Sequence, residues 1–367
     1  MGEINIDATT LKQLNDLAKK LAKKDVPSEF LEKMMRKCLD ITKYQNFSPN
    51  ASVKTLKKWE VISIVLDFYK SIDDELYKKV FDVVMNIDSK KKFNIYDIET
   101  ALGGFNQRDF EYKNFRKYEL SPFNISHENK DIVYIPLKSN SLSGPIKLEK
   151  DTATLTDAYI MTHELAHTFD IYLDNILDSK GENIKDVAER NILTESTAIA
   201  FEELFTKYLF QKNIINDSKY IENIIINRNN NDCTQTEKSY GRLVMVNKIK
   251  RNGEITKNDV LEILNKLDLT PEQKNRYIKL LIKEGPRWLE ISIGYAISGM
   301  ISPTIEKNIE DGNIESVKEY LKYSQITDFE KALNALGISM DEEGLNKLQN
   351  NAQKALNNQE PEEKGER

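Results

Sequence analysis

The chain has 367 residues, 40% of them hydrophobic and 31% charged, enough for a sizeable core in one large domain or a few smaller ones. A net charge of −6 without a basic stripe gives no reason to expect nucleic acid. No apolar run reaches the roughly 18 residues of a membrane span, and the opening MGEINIDATT lacks a secretory pattern. Cys38 and Cys233, far apart and with no second thiol beside either, read as thiols of a reducing compartment. A cytoplasmic protein is expected, or one exported by a route that needs no signal.

In chain order, TLKQLNDLAKKLAKK places Leu11, Leu14, Leu17 and Leu21 on one helical face. SEFLEKMMRKCLDITKY, TLKKWEVISIVLDFYKSI and DELYKKVFDVVMNI repeat that period, so residues 1–100 read as a helical N-terminal region. The texture changes over about 103–150. GGFNQRD interrupts the helices, DIVYIPL (Asp131–Leu137) is a β-branched and aromatic strand, and SNSLSGPIKLEK reads as a turn and a second short strand. Helices are then expected from Thr152 to Asp178 and from Ile184 to Lys212. A polar Asn-rich loop is expected within SKYIENIIINRNNNDCTQTEKSYG, and a break at EGPRW. The rest to about Gln349 reads as helix, and 351–367 as a disordered tail. The fold class is mainly α, with a small β-sheet beside the helix that carries the chemistry, and 101–350 form the catalytic region.

That chemistry sits in MTHELAHTFD. Only three histidines occur, and two of them, His163 and His167, are one helical turn apart on the same face. Two imidazoles at that spacing can reach one tetrahedral Zn²⁺, one ion per chain. Glu164 lies on the flank of the face, where a general base can reach a water without ligating the metal. A surface helix with two chance histidines is the plain alternative.

A third ligand is needed. NILTESTAIAFEELF supplies Glu195 and Glu202, seven residues apart on a face of small residues that lets another helix come close. Glu195 would ligate the metal, and Glu202 would accept a hydrogen bond from the far nitrogen of a ligating histidine. Asp170 is a weaker candidate for that supporting role. Glu203, one residue on from Glu202, is expected at the surface.

HExxH followed by E-x6-E resembles the thimet oligopeptidase and oligopeptidase F family. The stretch GYAISGMISPTIEKNIEDGNIESVKEYLKYSQITDFEKALNALGISM is similar to the family's C-terminal helices, and FNIYDI (Phe93–Ile98) to another of its segments. The resemblance covers roughly residues 90–350. It implies a helical zinc endopeptidase of the gluzincin type, with Glu195 as third ligand. The chain departs from the family in length, in Ala166 where the family has Gly, and in RWLEISIGYAISG, which lacks the family's His and keeps one Tyr.

The mechanism this resemblance implies has Glu164 move the proton of the attacking water to the leaving amine. Tyr295 would donate to the oxyanion, with Tyr240 in reserve, and His127 would line the cleft beside a strand able to pair with an extended peptide. The substrate would be a peptide or protein, with no nucleic acid and no membrane span. A protease dedicated to one protein substrate, and a helical binding protein that has lost catalysis, are the competing readings.

Overall fold

The computed structural model describes residues 4, 6–23, 29–41, 43–46, 55–84, 93–94, 123–127, 130–134, 152–169, 184–214, 218–267, 269–283 and 287–359. In chain order the elements are α1 (Ala8–Ala22), α2 (Glu29–Ile41), β1 (Thr55–Lys57), α3 (Lys58–Ile72), α4 (Asp74–Val84), β2 (Phe93–Asn94), β3 (Phe123–His127), β4 (Lys130–Tyr134), β5 (Thr152–Thr154), α5 (Leu155–Ala166), a 3₁₀ turn (His167–Phe169), α6 (Ile184–Gln211), α7 (Ser218–Asn252), α8 (Lys257–Lys266), α9 (Pro271–Lys283), α10 (Arg287–Glu310), α11 (Ile314–Gln325), α12 (Phe329–Ala335) and α13 (Glu342–Gln359). The fold is mainly α, as the apolar periodicity requires.

Helices α6 and α10 form the centre and run parallel. Ser298 donates to the Ile192 carbonyl at one end, and Lys207 pairs with Glu310 at the other. They approach closely because position 294 is glycine: a Cβ there would lie 2.8 Å from the Asn191 Cβ. Helix α5 lies antiparallel on α6, with the Tyr159 hydroxyl 2.8 Å from that of Thr206. Tyr69 of α3 ties α5 from the other side by donating to the Thr162 carbonyl at 2.6 Å. Beneath this junction Phe68, Tyr69, Phe169, Phe201 and Phe205 are fully buried and pack ring against ring, Tyr69 stacking on Phe201 at 5.4 Å. Such aromatic contacts add about 0.5–1.5 kcal/mol each beyond area burial, so the floor under α5 is rigid.

Two small sheets accompany the helices. β1 and β5 pair antiparallel, Leu56 opposite Ala153, and each leads directly into a helix, α3 and α5. β3 and β4 form an antiparallel hairpin, with β2 parallel on the other edge of β4.

Several boundaries differ from the sequence reading. Thr55–Lys57 and Thr152–Thr154 are strand rather than helix, because each satisfies the other's backbone groups. The strand expected at Asp131–Leu137 is observed over Lys130–Tyr134. The Asn-rich segment is not a loop: α7 passes through it unbroken. Ile221, Cys233, Thr236, Tyr240 and Leu243 keep a buried face there. The asparagine amides are used, Asn230 bonding both the N–H and the carbonyl of Gln45 at 2.8 and 2.9 Å. The tail is also partly structured, since α13 continues to Gln359 on Leu345, Leu348 and Ala352. GGFNQRD, the second strand in SNSLSGPIKLEK, residues 95–98 of FNIYDI, Asp170 through Asp178, residues 284–286 of EGPRW and the tail beyond 359 lie outside the described residues. No described helix is long and apolar enough to cross a membrane.

Candidate metal centre

Helix α5 presents His163 from its last turn, and His167 follows in the 3₁₀ turn. The change of helix type turns the second ring across the first, with ring planes at 86° and centroids 4.9 Å apart. Glu195 and Glu202 face them from antiparallel α6, two turns apart. His163 Nδ1 donates to Glu202 Oε1 at 2.6 Å; a carboxylate can only accept, so this bond fixes the tautomer and leaves His163 Nε2 with its lone pair forward.

That lone pair meets two others. His163 Nε2 lies 3.3 Å from His167 Nε2 and 3.4 Å from Glu195 Oε2, and His167 Nε2 lies 4.0 Å from Glu195 Oε1. Ligands about 2.0–2.1 Å from a tetrahedral zinc are separated by about 3.3–3.4 Å along each edge. The two shorter separations match, and the 4.0 Å from His167 is to the other Glu195 oxygen, Oε1. Among the described residues the three side chains form the group that could hold a metal ion. With the His163 ring neutral, the three present lone pairs that a cation between them would engage.

The polar bookkeeping agrees. Among the described residues, Glu195 Oε2 and His167 Nδ1 are buried without a hydrogen-bond partner. Burial pulls the pKa of His163 down, but its bonds to Glu195 and Glu202 outweigh this and hold it well above the ordinary range. His167 lacks such a bond, and burial lowers it to about 4. Glu195 and Glu202 are raised by burial but end below the usual carboxylate range through their bonds with His163.

Tyr295 of α10 also reaches the centre, its hydroxyl hydrogen-bonding to Glu195. Gly294 beside it permits the close approach that makes this contact. Glu164 is on α5 between the two histidines; its side chain and that of His127, at the turn end of β3, lie outside the described residues. Tyr240 is placed elsewhere. It is buried on α7, three turns beyond Arg228, and accepts from Arg36 of α2 at 3.2 Å.

One residue at the centre escaped the sequence reading. Arg228, on α7, donates through Nη1 to Glu202 Oε2 at 3.2 Å and through Nη2 to Glu203. Glu203 is therefore buried at 8% exposure, not on the surface. No sequence signal marked Arg228, because it stands at the head of an asparagine run. Beyond it lies a cavity of about 210 Å³, lined among others by Glu203, Arg228, Cys233 and Glu306 and by neither histidine.

No family model matches the chain, and no curated protein matches it. Among solved structures the chain is similar to one described as a "putative peptidase" from Chlamydophila abortus, at 13% identity with a TM-score of 0.46. The match covers 96% of this chain and 55% of the other, so the chain spans about half the length of that protein.

Proposed function

We propose that the chain is a zinc-dependent metallopeptidase that hydrolyses peptide bonds in oligopeptides, a divergent relative of thimet oligopeptidase and oligopeptidase F. The observation that carries this reading is the convergence of His163, His167 and the Glu195 carboxylate, whose ligand atoms lie within 4.8 Å of one another, with the two Nε2 atoms 3.3 Å apart. Two imidazoles and one carboxylate favour zinc among divalent ions, and the HELAH motif has a glutamate next to the first ligand.

When bound, the metal supplies Lewis acidity that polarises the scissile carbonyl and lowers the pKa of a water to about 7. Glu164 takes the proton of the attacking water and delivers it to the leaving amine. Glu202 holds His163 in the tautomer that keeps Nε2 forward. On this reading the Tyr295 hydroxyl passes from Glu195 to the oxyanion, a contact of a kind worth about 2.7–4 kcal/mol. Tyr240, engaged by Arg36, has no role in the proposal.

The test is metal content together with cleavage of a quenched fluorescent peptide library, for wild type and Glu164→Gln. About one zinc per chain is expected in both, with cleavage reduced roughly 10²–10⁴-fold in the variant, the range of a general base. A wild type without zinc would overturn the reading. Bound zinc with no cleavage in either form would replace it with a protease of narrow protein specificity or a retired enzyme.

A further inference from the structure

A bond from a carboxylate to a ligating imidazole orients the ring only if the carboxylate is itself held. Glu202 uses Oε1 for His163, and rotation about its last torsion would swing that oxygen away at little cost. Its second oxygen, Oε2, accepts from Arg228 Nη1 at 3.2 Å. The other arm of the same guanidinium reaches Glu203. Arg228 is 16% exposed and both glutamate side chains are equally enclosed, at 16% and 11%. Neighbouring glutamates on a helix diverge by about 100°, so one planar fork gripping both ties the Glu202 carboxylate to the α6 backbone from two directions. His167 has no equivalent among the described residues, where its buried Nδ1 finds no partner.

Charge points the same way. Glu195 and Glu202 face the centre two turns apart on α6, Glu203 stands beside Glu202, and the last two share the cation of Arg228. Arg228 lies on α7, outside the ligand helices.

Resting on the metallopeptidase reading, we propose that Arg228 is a positioning residue of the metal centre, acting through Glu202 to lock His163 in its ligating orientation. Removing such an outer partner weakens metal binding by roughly 10-fold to 100-fold.

The experiment measures zinc affinity by competition with a chromophoric chelator. It compares wild type, Arg228→Gln, Arg228→Lys, Glu202→Gln and the Arg228→Gln/Glu202→Gln double variant. Arg228→Gln is expected to weaken zinc about 10-fold, and to add nothing in the Glu202→Gln background. Arg228→Lys should recover part of the loss, since it keeps the charge but not the fork. The visible absorption of the cobalt(II) form should shift alike in Arg228→Gln and Glu202→Gln, a response that general destabilisation does not produce. Zinc affinity unchanged in Arg228→Gln would overturn the proposal. So would a full loss that persists in the Glu202→Gln background, the mark of a purely structural ion pair. If Arg228→Gln fails to fold, the same cycle run with Arg228→Lys decides. A wild type that binds no zinc fails at the metal itself, a different result from a wild type and variant that bind equally.

Discussion

The two sides of α6 carry buried carboxylates with opposite fates. Towards α5, Glu195 and Glu202 sit against histidines, and their carboxyls end below the usual range although burial alone would raise them. Away from α5, Glu203 meets Arg228, and Glu306 of α10 lies nearby with Lys207 as its cation. There Glu306 is pushed up to about 7, by burial first and the charge of Glu203 second, because a half-exposed lysine does not offset both. Burial is similar on the two sides, so it does not decide the outcome. What decides is whether each carboxylate has a close, enclosed donor that favours its charged form. Glu195 and Glu202 are held charged, whereas Glu306 is set to shed its charge.

The strongest way to break this contrast is to remove the ligand side. Glu195→Gln should take the metal content from about one ion per chain to none, since two imidazoles alone bind weakly; metal analysis after dialysis checks it. Retained stoichiometric zinc would mean that Glu195 is not a ligand.

A second perturbation separates the helices that make both sides. Gly294→Val places atoms against Asn191, whose Cβ stands only 2.8 Å from the position of a first added carbon. Overpacking of this kind costs about 1–3 kcal/mol, read as a lower denaturant midpoint. Because Tyr295 is the next residue, cleavage should fall as well. An unchanged midpoint would show that the α6–α10 approach is not tight there.

The contrast is sharpened by pH. Glu306 binds its proton more tightly folded than unfolded, so between pH about 4.5 and 7 the native state holds the extra proton. Stability attributable to this group is therefore full below about 4.5 and lost as pH rises through about 7. Glu306→Gln should flatten that decline by an amount on the order of 1–2 kcal/mol, seen in denaturant midpoints at pH 5 and 8. An identical decline in both proteins would contradict the assignment.

The smallest effect serves as a control far from either side. Thr256 caps α8 in a reciprocal arrangement: its Oγ1 accepts from the Asp259 N–H at 3.2 Å, and Asp259 accepts from its N–H at 2.9 Å. Thr256→Ala should cost about 1 kcal/mol and leave zinc affinity untouched. A change in zinc affinity here would show that stability alone moves the metal readout.

Helices carried by unmistakable apolar periodicity, such as α1 and α2, were legible from the residues. So were the shared face of His163 and His167 and that of Glu195 and Glu202, because helical geometry alone puts residues at such spacings on one face. Glu203 and Arg228 were not. A glutamate beside Glu202 looks like a solvated residue until a guanidinium from another helix arrives, and asparagine's weak helix preference made α7 read as a loop at that point. Its buried residues and the Gln45 backbone overrode the preference, a tertiary effect no local window contains.

By itself, then, the sequence determined the mainly helical class and the candidate ligands His163, His167 and Glu195, since both follow from spacing along one chain. Only the tertiary structure decided that α5 and α6 run antiparallel at the distance that closes the triangle of ligand atoms. It also decided that Arg228 stands behind Glu202, and that Tyr295 rather than Tyr240 touches the centre. The reason is physical: spacing sets which side chains share a face, but which faces meet is settled by packing between helices distant in sequence, here by a glycine at 294 and an aromatic floor under α5.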